Sequence, residues 1–172
     1  MKIFTIFLIL VVFNFSLYSN EEEDTLRGVV LERISQFITY KTIDDTFNIC
    51  VYDDNDILNT FKNLYLGRKY RSKPIKTLEI KSTKEIHKCH VLYTCDLDTK
   101  DTKNILNKSQ NQVLLVSQNI DDINKGFMVA IYFENKKIKF ALNHKAIQNA
   151  DLKVSYRLLK VASRVINPVS NK

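Results

Sequence analysis

The chain has 172 residues, 45% hydrophobic and 26% charged, and its 26 Lys and Arg outnumber 19 Asp and Glu to give a formal charge of +7. That size suits one domain with a real core, and three glycines, two prolines and the absence of any repeat exclude low-complexity and repeat architectures. Excess positive charge invites a nucleic-acid partner, but the lysines are scattered, with only 68–76 concentrated, so the expectation is a solvated basic surface and no nucleic acid.

In chain order, Lys2 precedes an apolar run over 3–17, and Ser19 then leads into Asn20, Glu21, Glu22, Glu23 and Asp24. This is the layout of a secretory signal cleaved after Ser19, which predicts a leader over 1–19 and one exported domain over 20–172. The run is short for a span of about 20 residues, and no cysteine closes it to carry lipid.

Leu26, Val29, Val30, Ile34, Phe37 and Ile38 recur at helical spacing and predict an amphipathic first helix. A β-prone run over 47–52 follows. Asp53, Asp54 and Asn55 break it ahead of a second helical pattern, Ile57, Leu58, Phe61, Leu64 and Tyr65, with Gly67 as its stop. A strand over 72–80, a helical turn over 83–87, a third strand over 89–95, a helix over 100–108, a fourth strand over 113–117 and a turn or short helix over 121–124 come next. Two apolar runs, 127–133 and 138–142, are joined by a polar connection of hairpin length. A short helix over 144–150 precedes Ser155, which is placed to cap a final helix carrying Leu158, Leu159, Ala162, Val165 and Ile166 on one face.

Strands alternating with helices predict an α/β fold: a mainly parallel open sheet flanked by helices on both faces, with a C-terminal antiparallel hairpin and a final helix. Ligands in such sheets bind at the carboxyl ends of strands near a switch in strand order. Those ends carry Asp53 and Asp54 after the first strand and Asp96 and Asp98 after the third.

No residue set predicts catalysis. His87 and His90 flank Cys89 but lie on opposite sides of a strand, and no fourth ligand joins them for zinc. The Asp pairs sit at predicted turns, where backbone hydrogen bonding explains them. The calcium-loop pattern fails for want of its central glycine and terminal glutamate, and no phosphate-binding glycine loop is present. We therefore expect no catalytic residue, metal or cofactor. Phe37, Tyr40, Tyr65, Tyr70 and Tyr156 are aromatic candidates for core or surface. Three cysteines, Cys50, Cys89 and Cys95, allow one disulfide in an oxidising compartment, with three pairings open. If the first and third strands are parallel neighbours, Cys50 and Cys89 come within bridging reach.

Several segments together resemble the YfiR-like family of small periplasmic regulators. They are Gly126 and Met128, the run Lys137, Ile138, Lys139, Phe140, Ala141, Leu142 and Asn143, then Ala146, Ala150, Asp151, Leu152, Ser155, Leu158, Leu159 and Ala162. Upstream, Ile49, Cys50 and Val51 and the run Cys89, His90, Val91, Leu92 and Tyr93 are similar to its first and third strand signatures. The resemblance implies a Cys50–Cys89 bridge, a periplasmic location and no enzymatic activity. It implies docking on the periplasmic sensor domain of an inner-membrane diguanylate cyclase, held inactive until an outer-membrane-linked regulator withdraws the repressor, and a homodimer as a further association. The alternative from another class is a periplasmic small-ligand-binding protein serving a sensor kinase or transporter. For either, Asp53, Asp54, Asp96 and Tyr40 are the expected ligand or partner surface.

Overall fold

Three strands at the centre of the sheet, Phe47–Tyr52, Val91–Thr94 and Leu114–Ser117, are buried along all or most of their length, which is what a parallel sheet covered on both faces requires of its sequence. The computed structural model describes residues 20–109 and 112–166; the leader expected over 1–19 lies outside them.

Helix α1, Asn20–Gln36, carries Glu21, Glu22 and Glu23 in its first turn, where carboxylates offset the partial positive charge of the helix N-terminus. It starts earlier than the apolar spacing predicts and stops before Phe37. Ile38 therefore lies not on the helix but in a short strand, β1, Ile38–Thr39. Strand β2, Phe47–Tyr52, ends at Asp53, whose φ of 46° turns the chain. Asp54 then caps helix α2, Asn55–Tyr65, accepting hydrogen bonds from the Asp56 and Ile57 amides at 3.1 and 3.0 Å. Gly67 takes φ +73°, the left-handed conformation that glycine reaches without steric cost, just past the helix end.

Strands β3, Lys69–Tyr70, and β4, Lys73–Ile80, pair antiparallel. A 3₁₀ segment, Thr83–Lys88, leads to β5, Val91–Thr94. Helix α3, Thr99–Lys108, is capped by Asp98, which accepts from the Asp101 amide at 2.6 Å. Then come β6, Leu114–Ser117, the single turn α4, Asp122–Lys125, and the hairpin of β7, Val129–Glu134, and β8, Lys137–Asn143. Asn135 and Lys136 at its tip both have positive φ, the two-residue turn whose twist matches the strands. Helix α5, His144–Asn149, is capped by Asn143, β9 spans Lys153–Val154, α6, Tyr156–Val161, is capped by Ser155, and β10 is Arg164–Ile166.

The main sheet has the order β10-β8-β7-β6-β5-β2-β4-β3, while β1 and β9 form a separate antiparallel pair. All its neighbours are parallel except the β7–β8 hairpin and the β3–β4 edge. From β2 the chain goes first to β4 on one side and then returns to β5 on the other. The switch in strand order thus lies between β2 and β5.

The final element differs from expectation. The helix after Ser155 stops at Val161, Ala162 leaves the helical region at ψ 138°, and Arg164–Ile166 pair in parallel with Ala141, Leu142 and Asn143. Helical spacing of Val165 and Ile166 loses here to β-branched residues meeting an otherwise open strand edge. The chain's last described element is a strand.

Helices α1 and α2 pack on one face. Gly28 of α1 is the close approach: its carbonyl accepts from the Tyr65 hydroxyl at 2.8 Å, and a Cβ there would sit 2.5 Å from Leu64 and 2.9 Å from Phe61. Phe61 meets Tyr93 of β5 edge to face at 5.1 Å. Cys50 points to the other face, since side chains alternate along a strand and Val51 is registered with Tyr93. There it is bridged to Cys89, with Cα atoms 5.7 Å apart, beside the 3₁₀ segment against which α3 packs. The pairing implied by the family resemblance is the one the fold makes.

Candidate functional site

A cleft of about 960 Å³ opens at the carboxyl ends of β2 and β5, the crevice where the strand order switches. Three chain segments wall it. The N-terminal turns of α1 supply Glu21, Glu23, Asp24 and Arg27; the β2–α2 turn supplies Asp53, Asp54 and Asp56; the β5–α3 loop supplies Asp96, Asp98 and Asp101. Local folding explains why acids gather here: three helices start at the cleft, and Asp and Glu are the residues that cap and complement helix N-termini. Capping accounts for Asp54 and Asp98. It does not account for the other seven carboxylates.

Arg27 is the one cation among the described lining residues. Its guanidinium holds Asp24 at 2.9 Å and Glu23 at 3.2 Å, and it lies 4.8 Å over the Phe133 ring. Its side chain is 13% exposed, and its Nε is buried without a hydrogen-bond partner. Burial raises the Asp24 carboxyl above its ordinary range, with Arg27 pulling it back only in part. The Tyr52 hydroxyl is raised by burial and by the charges of Asp101, Asp53 and Asp98.

Cys95, the free thiol, lines the same cleft. Burial pushes it far up, and the neighbouring Asp54, Asp24 and Asp96 charges push it further, so it stays protonated at any physiological pH. Beneath lies Tyr93, wholly buried, whose hydroxyl has no hydrogen-bond partner and is raised well above its usual range by burial.

Asp53, Asp54 and Asp96 are therefore brought together, as the strand-end rule anticipates. Tyr40 is not with them. It is 5% exposed and packs edge to face on Phe47 at 5.3 Å and Tyr70 and His90 at 5.9 Å, at the opposite end of β2 from the cleft. The surface role expected for Tyr40 is corrected: its ring fills the core where β2 begins. Tyr65 and Tyr70 are core residues as well, while Phe37 and Tyr156 are exposed. His90 accepts a hydrogen bond at Nδ1 from the Asn48 amide at 3.0 Å and stacks on Phe47, whereas His87 is exposed. Neither lines the cleft.

Sequence reasoning passed over Arg27, Asp24 and Tyr93. The acidic stretch Asn20 to Asp24 reads as a polar segment after a leader, and only the fold shows that it begins a helix aimed at the strand ends.

No curated protein matches the sequence. Among solved structures, the chain is similar to the ABC domain from Streptococcus pneumonia in complex with L-Trp, with a TM-score of 0.56, 12% identity, and coverage of 83% of this chain and 60% of that one. It is similar to a conserved domain protein from Vibrio cholerae O1 biovar eltor at a TM-score of 0.56 and 9% identity, with coverage of 81% and 60%. The chain spans about 60% of the length of each, and at these identities the likeness is one of fold. The YfiR/HmsC-like family model matches residues 24–163, which takes in all three walls of the cleft from Asp24 onward, both bridged cysteines and the hairpin. The protein belongs to the YfiR/HmsC-like family.

Proposed function

We propose that the protein is a periplasmic regulator that binds the periplasmic sensor domain of an inner-membrane diguanylate cyclase and holds it inactive, lowering cyclic-di-GMP. The carrying observation is the family match over residues 24–163. An outer-membrane-linked regulator withdraws it from the cyclase, and a homodimer is its own further association. It is not an enzyme.

Export through a leader over 1–19 belongs to the same proposal. The Cys50–Cys89 bridge supports it, because disulfides persist in oxidising compartments. Among the described residues no helix is long and apolar enough to cross a membrane. The intact mass of protein recovered from the periplasm should lack the first 19 residues; full-length protein held in the cytoplasm or inner membrane would contradict export.

The binding step is tested with the purified protein and the isolated periplasmic domain of a cyclase encoded beside its gene. A saturable one-to-one complex is expected. No complex with any cyclase domain of the same cell would remove the proposal.

The acidic cleft supports a second reading, a small-ligand-binding protein serving a sensor kinase or transporter. That alternative expects a transporter or kinase gene beside this one, and a ligand that raises the melting temperature of the protein alone by mass action.

A further inference from the structure

The chain's excess charge is confined to its last quarter. Residues 134–172 carry nine Lys and Arg against Glu134 and Asp151, which is the whole formal charge of +7, so residues 1–133 are neutral on balance. Both of those carboxylates already have cationic partners, Glu134 in Lys139 and Asp151 in Lys41 at 2.9 Å. Beyond Asp151 the sequence holds no further acid. Lys153, Arg157, Lys160 and Arg164 are all exposed, and none of them forms an ion pair with a described residue.

Helix α6 turns part of this charge outward beside apolar side chains. At about 100° per residue, Tyr156, Lys160, Arg157 and Val161 fall in that order across an arc of about 140°. Leu158 and Leu159 take the remaining side, the first 3% exposed and the second packed against the core. Tyr156 and Val161 are 69% and 68% exposed, and Lys160 lies 4.8 Å over the Tyr156 ring. Two cations therefore stand between an aromatic ring and an aliphatic side chain on one solvent-facing strip. Arg164 follows on β10, the edge strand of the sheet. Four strand spacings, or about 19 Å, separate β10 from β5 and its acidic cleft, more than the screening length of about 8–10 Å.

We propose that the exposed face of α6, with Lys153 and Arg164 beside it, docks on an anionic phospholipid surface. Charge complementarity calls for a polyanion, and the apolar side chains select lipid among polyanions. A tyrosine, with its apolar body and polar tip, suits the headgroup boundary, and Val161 reaches the acyl chains beneath. Lys and Arg lay their stems along apolar surface and keep their charged ends among the phosphates. A nucleic acid would leave Val161 in water. The other basic concentration, 68–76, fits less well: it lies at the opposite edge of the sheet, Arg68 is paired with Glu32, and Tyr70 is buried. The choice of lipid rests on the export reading above, since an exported protein meets anionic phospholipid at the membrane it has crossed. On that reading the contact confines the protein to the surface in which its cyclase lies and raises their effective concentration.

The test is flotation of the purified, oxidised chain from Asn20 with phosphatidylcholine vesicles that contain or lack phosphatidylglycerol. That chain holds all ten strands described above and omits the apolar run over 3–17, so the leader takes no part. No cyclase is present and export is read separately by intact mass, so failure here and failure of the regulator reading are distinguishable. Binding should require phosphatidylglycerol and weaken as salt rises. Arg157→Gln, Lys160→Gln and Arg164→Gln should each weaken partitioning about fivefold, and the triple variant further, with the melting temperature unchanged because none has an ion pair to lose. Tyr156→Ala with Val161→Ala should weaken it severalfold. The chain has no Trp, so Tyr156→Trp supplies a single reporter, whose emission should move to shorter wavelength with the phosphatidylglycerol vesicles alone. Lys69→Gln with Lys76→Gln, two exposed positions in the other basic concentration, should leave partitioning unchanged. The proposal is overturned if the chain does not float, or floats equally on phosphatidylcholine alone. It is equally overturned if the α6 and β10 variants bind as the parent does, if the Lys69 and Lys76 variant loses as much as they do, or if the reporter's emission does not move on bound vesicles. Displacement from the vesicles by a DNA duplex at equal phosphate concentration would also overturn it and assign the strip to nucleic acid.

Discussion

Opening the Cys50–Cys89 bridge should lower the stability of the protein by about 4 kcal/mol. The two half-cystines are 39 residues apart, and closing a loop of that length in the unfolded chain removes entropy worth about 4 kcal/mol at 25 °C. Little native strain offsets it, because the Cα separation of 5.7 Å falls within the preferred range and β2 and β5 are already paired through Ile49 with Val91. Unfolding entropy near 2.1 cal/mol/K per residue, over a folded region of about 150 residues, converts this to a fall in melting temperature of roughly 12 °C. The assay is a pair of melts, one of oxidised protein and one of protein reduced under denaturant and refolded with reductant, with the Cys50→Ala, Cys89→Ala double variant as a chemical control. Cys50 is fully buried and Cys89 is 5% exposed, so the double variant carries a small additional packing loss. Melts that coincide within 2 °C would refute the reasoning, since the bridge would then constrain nothing that the parallel strands do not already fix.

Two further predictions follow from other parts of the fold. Burial lowers the His90 imidazole, with Asp44 acting in the other direction, so its contribution to stability is complete above the unfolded value of about 6.5 and is lost as pH falls through the folded value. The melting temperature should therefore fall between pH 7.5 and 5, and His90→Phe, which keeps the stack on Phe47, should flatten that fall; an unchanged slope would assign it to other groups. Gly28→Ala should destabilise despite a helix-propensity gain of about 0.5–1 kcal/mol, because the new methyl would meet Leu64 at 2.5 Å and buried Phe61 at 2.9 Å and overpacking costs about 1–3 kcal/mol. Urea unfolding measures it, and a midpoint equal to or above the parent's would contradict the close contact of α1 with α2.

Much of the fold was legible in the sequence because the signals were local and strong. Apolar runs at β2, β5 and β6, the capping residue Ser155 and the Gly67 stop each name their element without tertiary help. The strand-end carboxylates Asp53, Asp54 and Asp96 followed from the same alternation of strand and helix. What was not legible depended on partners remote in sequence. Ile38 keeps helical spacing but is drawn off the helix by pairing with Val154, and Val165 and Ile166 become a strand only because β8 offers them an edge. Tyr40 carries no local sign of its burial, which comes from Phe47, Tyr70 and His90 closing around it. Arg27 lines the cleft, and Tyr93 lies buried beneath it, for the same reason: α1 and β5 meet there only in the folded chain.

The most direct test of the regulator account is the level of cyclic-di-GMP in cells that lack this gene, measured with and without its cognate cyclase. The account predicts a rise in cyclic-di-GMP and in surface attachment on deletion, abolished when the cyclase gene is deleted too and restored by the parent protein. Unchanged cyclic-di-GMP in the single deletion, or a rise that survives loss of the cyclase, would contradict it.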